Sequence, residues 1–297
     1  MTTNHLCALT GRTGKYVKSH IIPLALTRLE RTGEKFVEAG IGLGIKTRSN
    51  SWYDNALVIR EGENILADID AKGIDALRKH KLVWSGWNNE KELLSNDQVL
   101  HNGVPHHRLI QLECARDLQL LFLSILWRAA ASKRSEFTDF TLKPAELEQL
   151  RVRVLNKDPG DFSEYPIQLF QISTLGIHHN RTPLMESKET PNTDTSSPES
   201  VDYARIYFDG LTAHIHLPRG KDLGETYMQT CIGNPTGTIA FLHTFENSRA
   251  HANIIEMIET VDQEQRSPQV PLSPIASAIQ SSYAPSTKNH HRAQQKI

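Results

Sequence analysis

The residues whose types and spacing bear on chemistry gather in the first third of the chain. The run Cys7–Pro23 (CALTGRTGKYVKSHIIP) sets Gly11 and Gly14 in a tight knuckle and Lys15–Lys18 in a short strand, with His20 directly before Ile21-Ile22-Pro23. Imidazole titrates near neutral pH, so a histidine fixed at a strand end can move a proton; the same residue can also simply cap the strand. Next come Trp52-Tyr53-Asp54-Asn55-Ala56-Leu57-Val58, a turn at Glu61-Gly62, and a helix from about Glu63 to His80. Asn55 suits a turn held by an Asx hydrogen bond, and Glu63 suits a helix N-terminus through the macrodipole. Gly40-Ile41-Gly42-Leu43-Gly44 ahead of Lys46 and Arg48 lacks the spacing of a phosphate loop and reads as a hairpin, while both cations remain able to touch a nucleic-acid backbone. His101, His106 and His107, and the pair His178-His179, have ligand chemistry, but adjacent strand residues point to opposite faces. Cys-x-x-Cys, His-Glu-x-x-His and a serine nucleophile elbow are absent.

These residues need elements to hold them. Residues 1–100 are mixed, 105–157 read as strongly helical, and the chain from Tyr165 onward reads as strands. The clearest element is Leu109–Ser132, polar on one face at Glu113, Arg116 and Asp117 and apolar nearly all round in its second half. A second helix is expected over Pro144–Leu155, with proline in its first turn. Ile167–Ile172 and Ala204–Leu217 alternate as strands do, the latter turning at Asp209-Gly210. A helix near Ala252–Val261 closes the C-terminal part. Arg181–Ser200, rich in Thr, Ser and Pro, has little to bury and reads as a mobile loop, and 263–297 as a disordered tail.

Composition bounds the rest. The chain has 297 residues, 38% of them hydrophobic, and a net charge of -1. Its longest apolar run, Leu118 to Ile125, is far shorter than the roughly 20 residues a bilayer requires, so no membrane is expected. Three scattered cysteines and no signal-like N-terminus fit the cytoplasm rather than a disulfide scaffold.

The order of parts in the first third resembles the HNH (His-Me finger, ββα-metal) nucleases. It is most similar to a bacterial group carrying Cys-x-x-Cys, Lys-Ser-His-Ile-Ile-Pro, then Tyr-Asp-x-x-Leu-Cys-x-x-Cys and a helix. Leu123-Ser124-Ile125-Leu126-Trp127-Arg128 looks like the Ser-Leu-Leu-Trp-Arg helix of that group, so the resemblance spans about residues 5–160. It implies an α+β fold: a degenerate, treble-clef-like ββα-metal finger (1–100), a central helical segment (101–160), a small β-rich C-terminal unit (161–262, with the loop 181–200) and the tail (263–297). It further implies that His20 is the general base and Asn55 fixes the loop behind it. Glu63 or Asn64 would hold one divalent cation such as Mg2+, and Lys15, Lys18, Lys46 and Arg48 would meet phosphates. The group's zinc clip is reduced to Cys7. Its partner position is Thr10, and the second pair falls on Ile59 or Arg60 and Gly62 or Glu63, so no structural zinc is expected. The function implied is cleavage of phosphodiester bonds of DNA or RNA, with DNA favoured over RNA as the partner, in phage defence or a mobile element. The alternative is a catalytically inactive module or scaffold subunit that binds nucleic acid or a protein partner.

Overall fold

The computed structural model describes residues 5–27, 36–40, 44–48, 51–190, 199–255 and 259. In chain order the elements are β1 (His5–Leu6), β2 (Thr13–Gly14), β3 (Tyr16–His20), β4 (Phe36–Gly40), β5 (Gly44–Arg48), β6 (Tyr53–Ile59), α1 (Arg60–Lys79), β7 (Gln98–His101), β8 (Val104–Ile110), α2 (Ala115–Ala131) and α3 (Pro144–Asn156). There follow β9 (Ile167–Ile172), β10 (His179–Arg181), β11 (Leu184–Thr190), β12 (Glu199–Phe208), β13 (Leu211–Leu217), α4 (Glu225–Met228) and β14 (Thr238–His243). The fold is mixed α+β.

Seven strands form the main sheet in the order β11-β12-β13-β9-β14-β8-β7, with β14 parallel to β9 and antiparallel to β8. Alternation along these strands sends Ile167 and Leu169, Ala204, Ile206 and Phe208, Leu211, Ala213 and Ile215, and Ala240 into one core with α2. Every residue of α2 from Leu118 to Ala129 is buried, including Gln119, Ser124 and Arg128. Phe122 stacks on Phe208 of β12 with ring centroids 5.9 Å apart. Helix α1 presents Leu66, Ile69, Gly73, Ile74 and Leu77 to this core, with Glu61 and Glu63 in its first turn and Arg78 and Lys79 in its last.

Helix α1 packs tightly on α2 at Gly73. A Cβ built there falls 2.5 Å from Leu121 Cβ. Alanine at this position gains about 1 kcal/mol of helix propensity, but overpacking a helix contact costs about 1–3 kcal/mol. Gly73→Ala is therefore expected to lower the melting temperature, and a thermal melt equal to or above wild type would contradict the contact.

Several expectations hold closely. β9 covers Ile167–Ile172, α3 covers Pro144–Asn156, and β12 turns into β13 at Asp209 (φ 47°) and Gly210 (φ 77°), both left-handed as a two-residue type I′ hairpin requires. A side chain at Gly210 would also strike the Trp84 indole, 2.4 Å from its Cε2. Strands β4 and β5 on either side of residues 41–43 pair in antiparallel register, Gly40 opposite Gly44, and β4 also pairs in parallel with β10.

Others are corrected. Leu109–Ser132 is not one helix: β8 runs through Ile110, and α2 begins only at Ala115. The Glu61-Gly62 turn is absent, because β6 passes from Ile59 directly into α1 and both residues are helical. The stretch 181–200 is not a loop throughout. Leu184–Thr190 is edge strand β11, paired in antiparallel register with β12 from Leu184↔Arg205 to Thr190↔Glu199. Residues 191–198 lie outside the described part, as does the expected tail 263–297. The finger, the helical segment and the β-rich part are not separate domains either, since the chain through Ser248 is one compact unit with a shared core. The second unit begins at Arg249; residues 249–255 are helical, ahead of the start expected at Ala252.

Candidate functional site

The site is built on the antiparallel pair β3–β6 and the helix that follows it. Tyr16 pairs with Ile59, Val17 with Val58, Ser19 with Asp54 and His20 with Tyr53, and the register shifts between Val17 and Ser19, so that extra β6 residues bulge opposite Lys18. His20 is the last residue of β3, as its place before Ile21-Ile22-Pro23 suggests.

In front of this hairpin the chain turns in a knuckle. The Thr10 N–H donates to Cys7 Sγ (3.4 Å) and the Gly11 N–H to the Cys7 carbonyl (3.0 Å), with Gly11 at φ 67°. The thiol is buried and lies against the first turn of α1: a Cβ added to Gly62 would sit 3.0 Å from Cys7 Sγ. Ile59, three residues earlier, covers Gly14, with its Cδ1 3.2 Å from a Cβ built there. Positions 59 and 62 therefore both face the knuckle. Arg12 adds an exposed pair to Glu61 at 2.7 Å. With one thiol against Thr, Ile and Gly, purified protein is expected to contain no stoichiometric zinc; metal analysis returning about one zinc per chain would overturn this.

His20 is half-buried. Its carbonyl accepts a hydrogen bond from Arg128 (3.0 Å), and its ring meets Tyr53 edge-on, centroids 6.0 Å apart. Nε2 is buried and has no hydrogen-bond partner. Desolvation holds the imidazole below its ordinary pKa, helped by the Lys18 and Arg128 charges and opposed by Asp70, so the ring is neutral at pH 7. Lys18 is itself exposed, its ammonium 3.9 Å above the Tyr53 ring.

The other expected residues divide. Glu63 is half-buried, and its Oε2 is buried without a partner, whereas Asn64 is exposed on the same turn. Asn55 stands exposed within β6 rather than in a connecting turn. The Asx-type bond expected of it belongs to Asp54, whose Oδ1 accepts the Ala56 N–H (2.7 Å) while Oδ2 accepts the Ser132 hydroxyl (2.7 Å). Lys15 is exposed at the start of the hairpin. Lys46 and Arg48 sit in β5, where i and i+2 share one face, but their side chains fall outside the described part.

Two residues near His20 were given no site role by the sequence: Asp70, and Arg128, which enters there only as the end of the helix motif. Arg128, 1% exposed, places two guanidinium nitrogens on the Asp70 carboxylate at 2.7 and 3.0 Å, and its Nε donates to the Ser124 carbonyl. It ties α2 to α1 and to the end of β3 at once. The available signal was a single arginine in the apolar second half of α2, which must find an anion if it is buried. The remaining histidines do not converge on the site. His178 packs edge-on to Trp84, and His179, burial pushing it down to about 4, stacks on Tyr207. His106 and His107 approach through Nδ1 at 3.0 Å. Among the described residues no three His, Cys, Asp or Glu side chains are grouped to hold a metal. Nor is any helix there long and apolar enough to cross a membrane.

No protein-family model, curated protein or solved structure matches the chain.

Proposed function

We propose that the chain cleaves phosphodiester bonds of nucleic acid through an HNH-like finger made by β3, β6 and α1. The reading rests on His20: a neutral imidazole at a strand end, fixed through its own carbonyl, with a sheltered Nε2 that no protein group engages. Such a nitrogen would accept a proton from water as the oxygen attacks phosphorus once the half-buried site opens to admit that water. Arg128 fixes the backbone of residue 20 and Tyr53 meets the ring edge-on, and burial together with Lys18 keeps it unprotonated, so the base is ready at neutral pH.

A nuclease of this type uses one divalent ion such as Mg2+. Glu63 is the residue that would hold it, because its Oε2 is buried and unpartnered. Mg2+ commonly takes only one or two protein carboxylates, the substrate phosphate and waters completing its shell. When bound, the ion neutralises charge on the phosphate and leaving oxygen. Lys15 and Lys18, with Lys46 and Arg48 on one face of β5, meet the backbone of the nucleic acid, with DNA in a phage-defence or mobile-element setting as the favoured substrate.

One observation favours the second reading, a binding module without catalysis. The carboxylate electrostatically coupled to His20 is Asp70, and Arg128 already occupies it. A plasmid-nicking assay with and without EDTA, run on wild type and His20→Ala, separates the two. Metal-dependent nicking lost in the variant supports the nuclease. Salt-sensitive binding with no nicking in either protein supports the module.

A further inference from the structure

Tyr53 stands where β3, β6 and the end of α2 meet. Its backbone pairs with His20, and residues directly opposite in an antiparallel pair share a face, so its ring lies on the His20 side of the hairpin and meets the imidazole edge-on at 6.0 Å. The Lys18 ammonium sits 3.9 Å from the centre of that ring, and the Arg134 guanidinium 5.7 Å from it. Arg134 also donates to the Tyr53 carbonyl at 2.7 Å, and Ser132 to the Asp54 carboxylate at 2.7 Å. Arg128, in the last turn of α2, donates to the His20 carbonyl at 3.0 Å. One stretch of chain, 128–134, thus fixes both strand ends and holds Tyr53 in its place opposite His20.

These contacts give Lys18 a seat. A lysine side chain in water spreads over many rotamers, and ordering it costs entropy that a partner must offset. Lys18 is exposed, and among the described residues no carboxylate pairs with it; the partner of its ammonium is the Tyr53 ring. Arg134 differs, since its guanidinium is committed to Glu136. A ring face attracts a cation through its quadrupole without neutralising it or consuming its N–H donors. Lys18 therefore keeps its full charge beside the base, with N–H groups left for an anionic oxygen. The groups that face the imidazole are Lys18 on its own strand, Tyr53 on β6, Asp70 on α1 and Arg128 on α2. Of these charges Lys18 acts on it most strongly, while Arg128 and Asp70 engage each other.

We propose that Tyr53 is a positioning residue: its ring seats the Lys18 ammonium beside His20, where it meets the phosphate whose attacking water His20 deprotonates. The phosphate rests on the nuclease reading; the seating of Lys18 does not, and the two are tested apart. In this role Tyr53 touches no reacting atom and acts through Lys18 alone.

The test is a double-mutant cycle read on His20 itself. Its imidazole Cε1–H NMR signal, identified by its absence in His20→Ala, is followed through a pH titration. Lys18→Met removes the neighbouring charge and should move the midpoint up towards 6.5. Tyr53→Leu should move it the same way, because the unseated ammonium spends its time farther out in water. Tyr53→Leu made on Lys18→Met should add nothing, since the ring then has no cation to hold. Tyr53→Phe keeps the ring and should titrate as wild type. Pentafluorophenylalanine in place of Tyr53 keeps the shape but not the negative ring face. It should titrate as Tyr53→Leu does, so that a packing defect in the leucine variant does not pass for the effect. A midpoint unchanged in Tyr53→Leu, or raised equally with and without Lys18, overturns the seat, as does a pentafluoro variant that titrates as wild type. Plasmid nicking in Mg2+ at about pH 8, where the ring is neutral in every variant, reads the phosphate half. Lys18→Met and Tyr53→Leu should each slow it, the latter about two- to fivefold, the worth of an exposed cation–π contact, and not additively. Nicking at the wild-type rate in Lys18→Met overturns that half. No nicking by wild type, with the titrations as expected, removes the nuclease and leaves the seat; nicking with an unmoved midpoint does the reverse.

Discussion

His20→Ala is expected to abolish nicking, with a loss of about 10²–10⁴-fold, the usual contribution of a general base. The fold should survive the change, because the hydrogen bond that anchors residue 20 is made by its backbone carbonyl and not by its ring. Nucleic-acid binding should survive as well, since phosphate contact rests on lysine and arginine side chains elsewhere. Glu63→Gln and Asn64→Ala separate the two candidates on α1: the first should raise the Mg2+ concentration needed, and the second, at an exposed position, should not. The pH profile carries an independent signature. Burial lowers the folded pKa of His20 below 6.5, so the ring stays neutral, and nicking should hold its rate, to lower pH than an ordinary histidine would allow. The same shift bears on stability with a definite sign. As pH falls through the unfolded value near 6.5, the unfolded chain takes up the proton first, so His20 contributes a loss of stability on acidification that His20→Ala should lack. Wild-type nicking rates in the variant would remove His20 from the chemistry altogether.

How far the sequence discloses this architecture depends on whether the signal is local. Ile167–Ile172 alternates cleanly, Asp209-Gly210 is a turn that few other sequences could make, and Pro144 opens a helix, so these elements read directly. β11 does not, because LMESKET is an edge strand: its charges blunt an exposed sheet edge, and they look like loop composition when read alone. β8 fails for the opposite reason. Its inward positions include Arg108, buried and bonded to Asp97 at 2.7 Å, while Leu109 is exposed, so the hydrophobic pattern runs against the burial. The site shows the same divide. His20 is marked by its neighbours in sequence. Asp54 hides one place from Asn55, and the side chain chosen there depends on Ser132, 78 residues away. Gly62 can be assigned to the knuckle only once the Cys7 sulfur is seen against it.

Arg128→Ala should be among the most destabilising single changes in this protein. The guanidinium is 1% exposed and Asp70 is 18% exposed, so removing the cation leaves a carboxylate largely out of water with nothing to balance it. Breaking such a pair from one side typically costs about 3–5 kcal/mol, or on the order of 10 °C in melting temperature for a domain of this size. Asp70→Asn should be comparably harmful, because it strands the arginine instead. The pair itself is not expected to be a large net source of stability, since desolvating two charges offsets much of their attraction. Arg128→Met with Asp70→Leu should therefore recover at least half of the loss suffered by Arg128→Ala alone. That recovery separates two roles that the single variants confound. If the pair serves the fold only, the apolar double variant should nick DNA at the wild-type rate once it is folded. If it also orients His20, the double variant will melt near wild type yet nick slowly, because a thioether in place of the guanidinium offers no donor to the His20 carbonyl and the ring loses its fixed direction. The second outcome is the one the 3.0 Å bond to that carbonyl predicts.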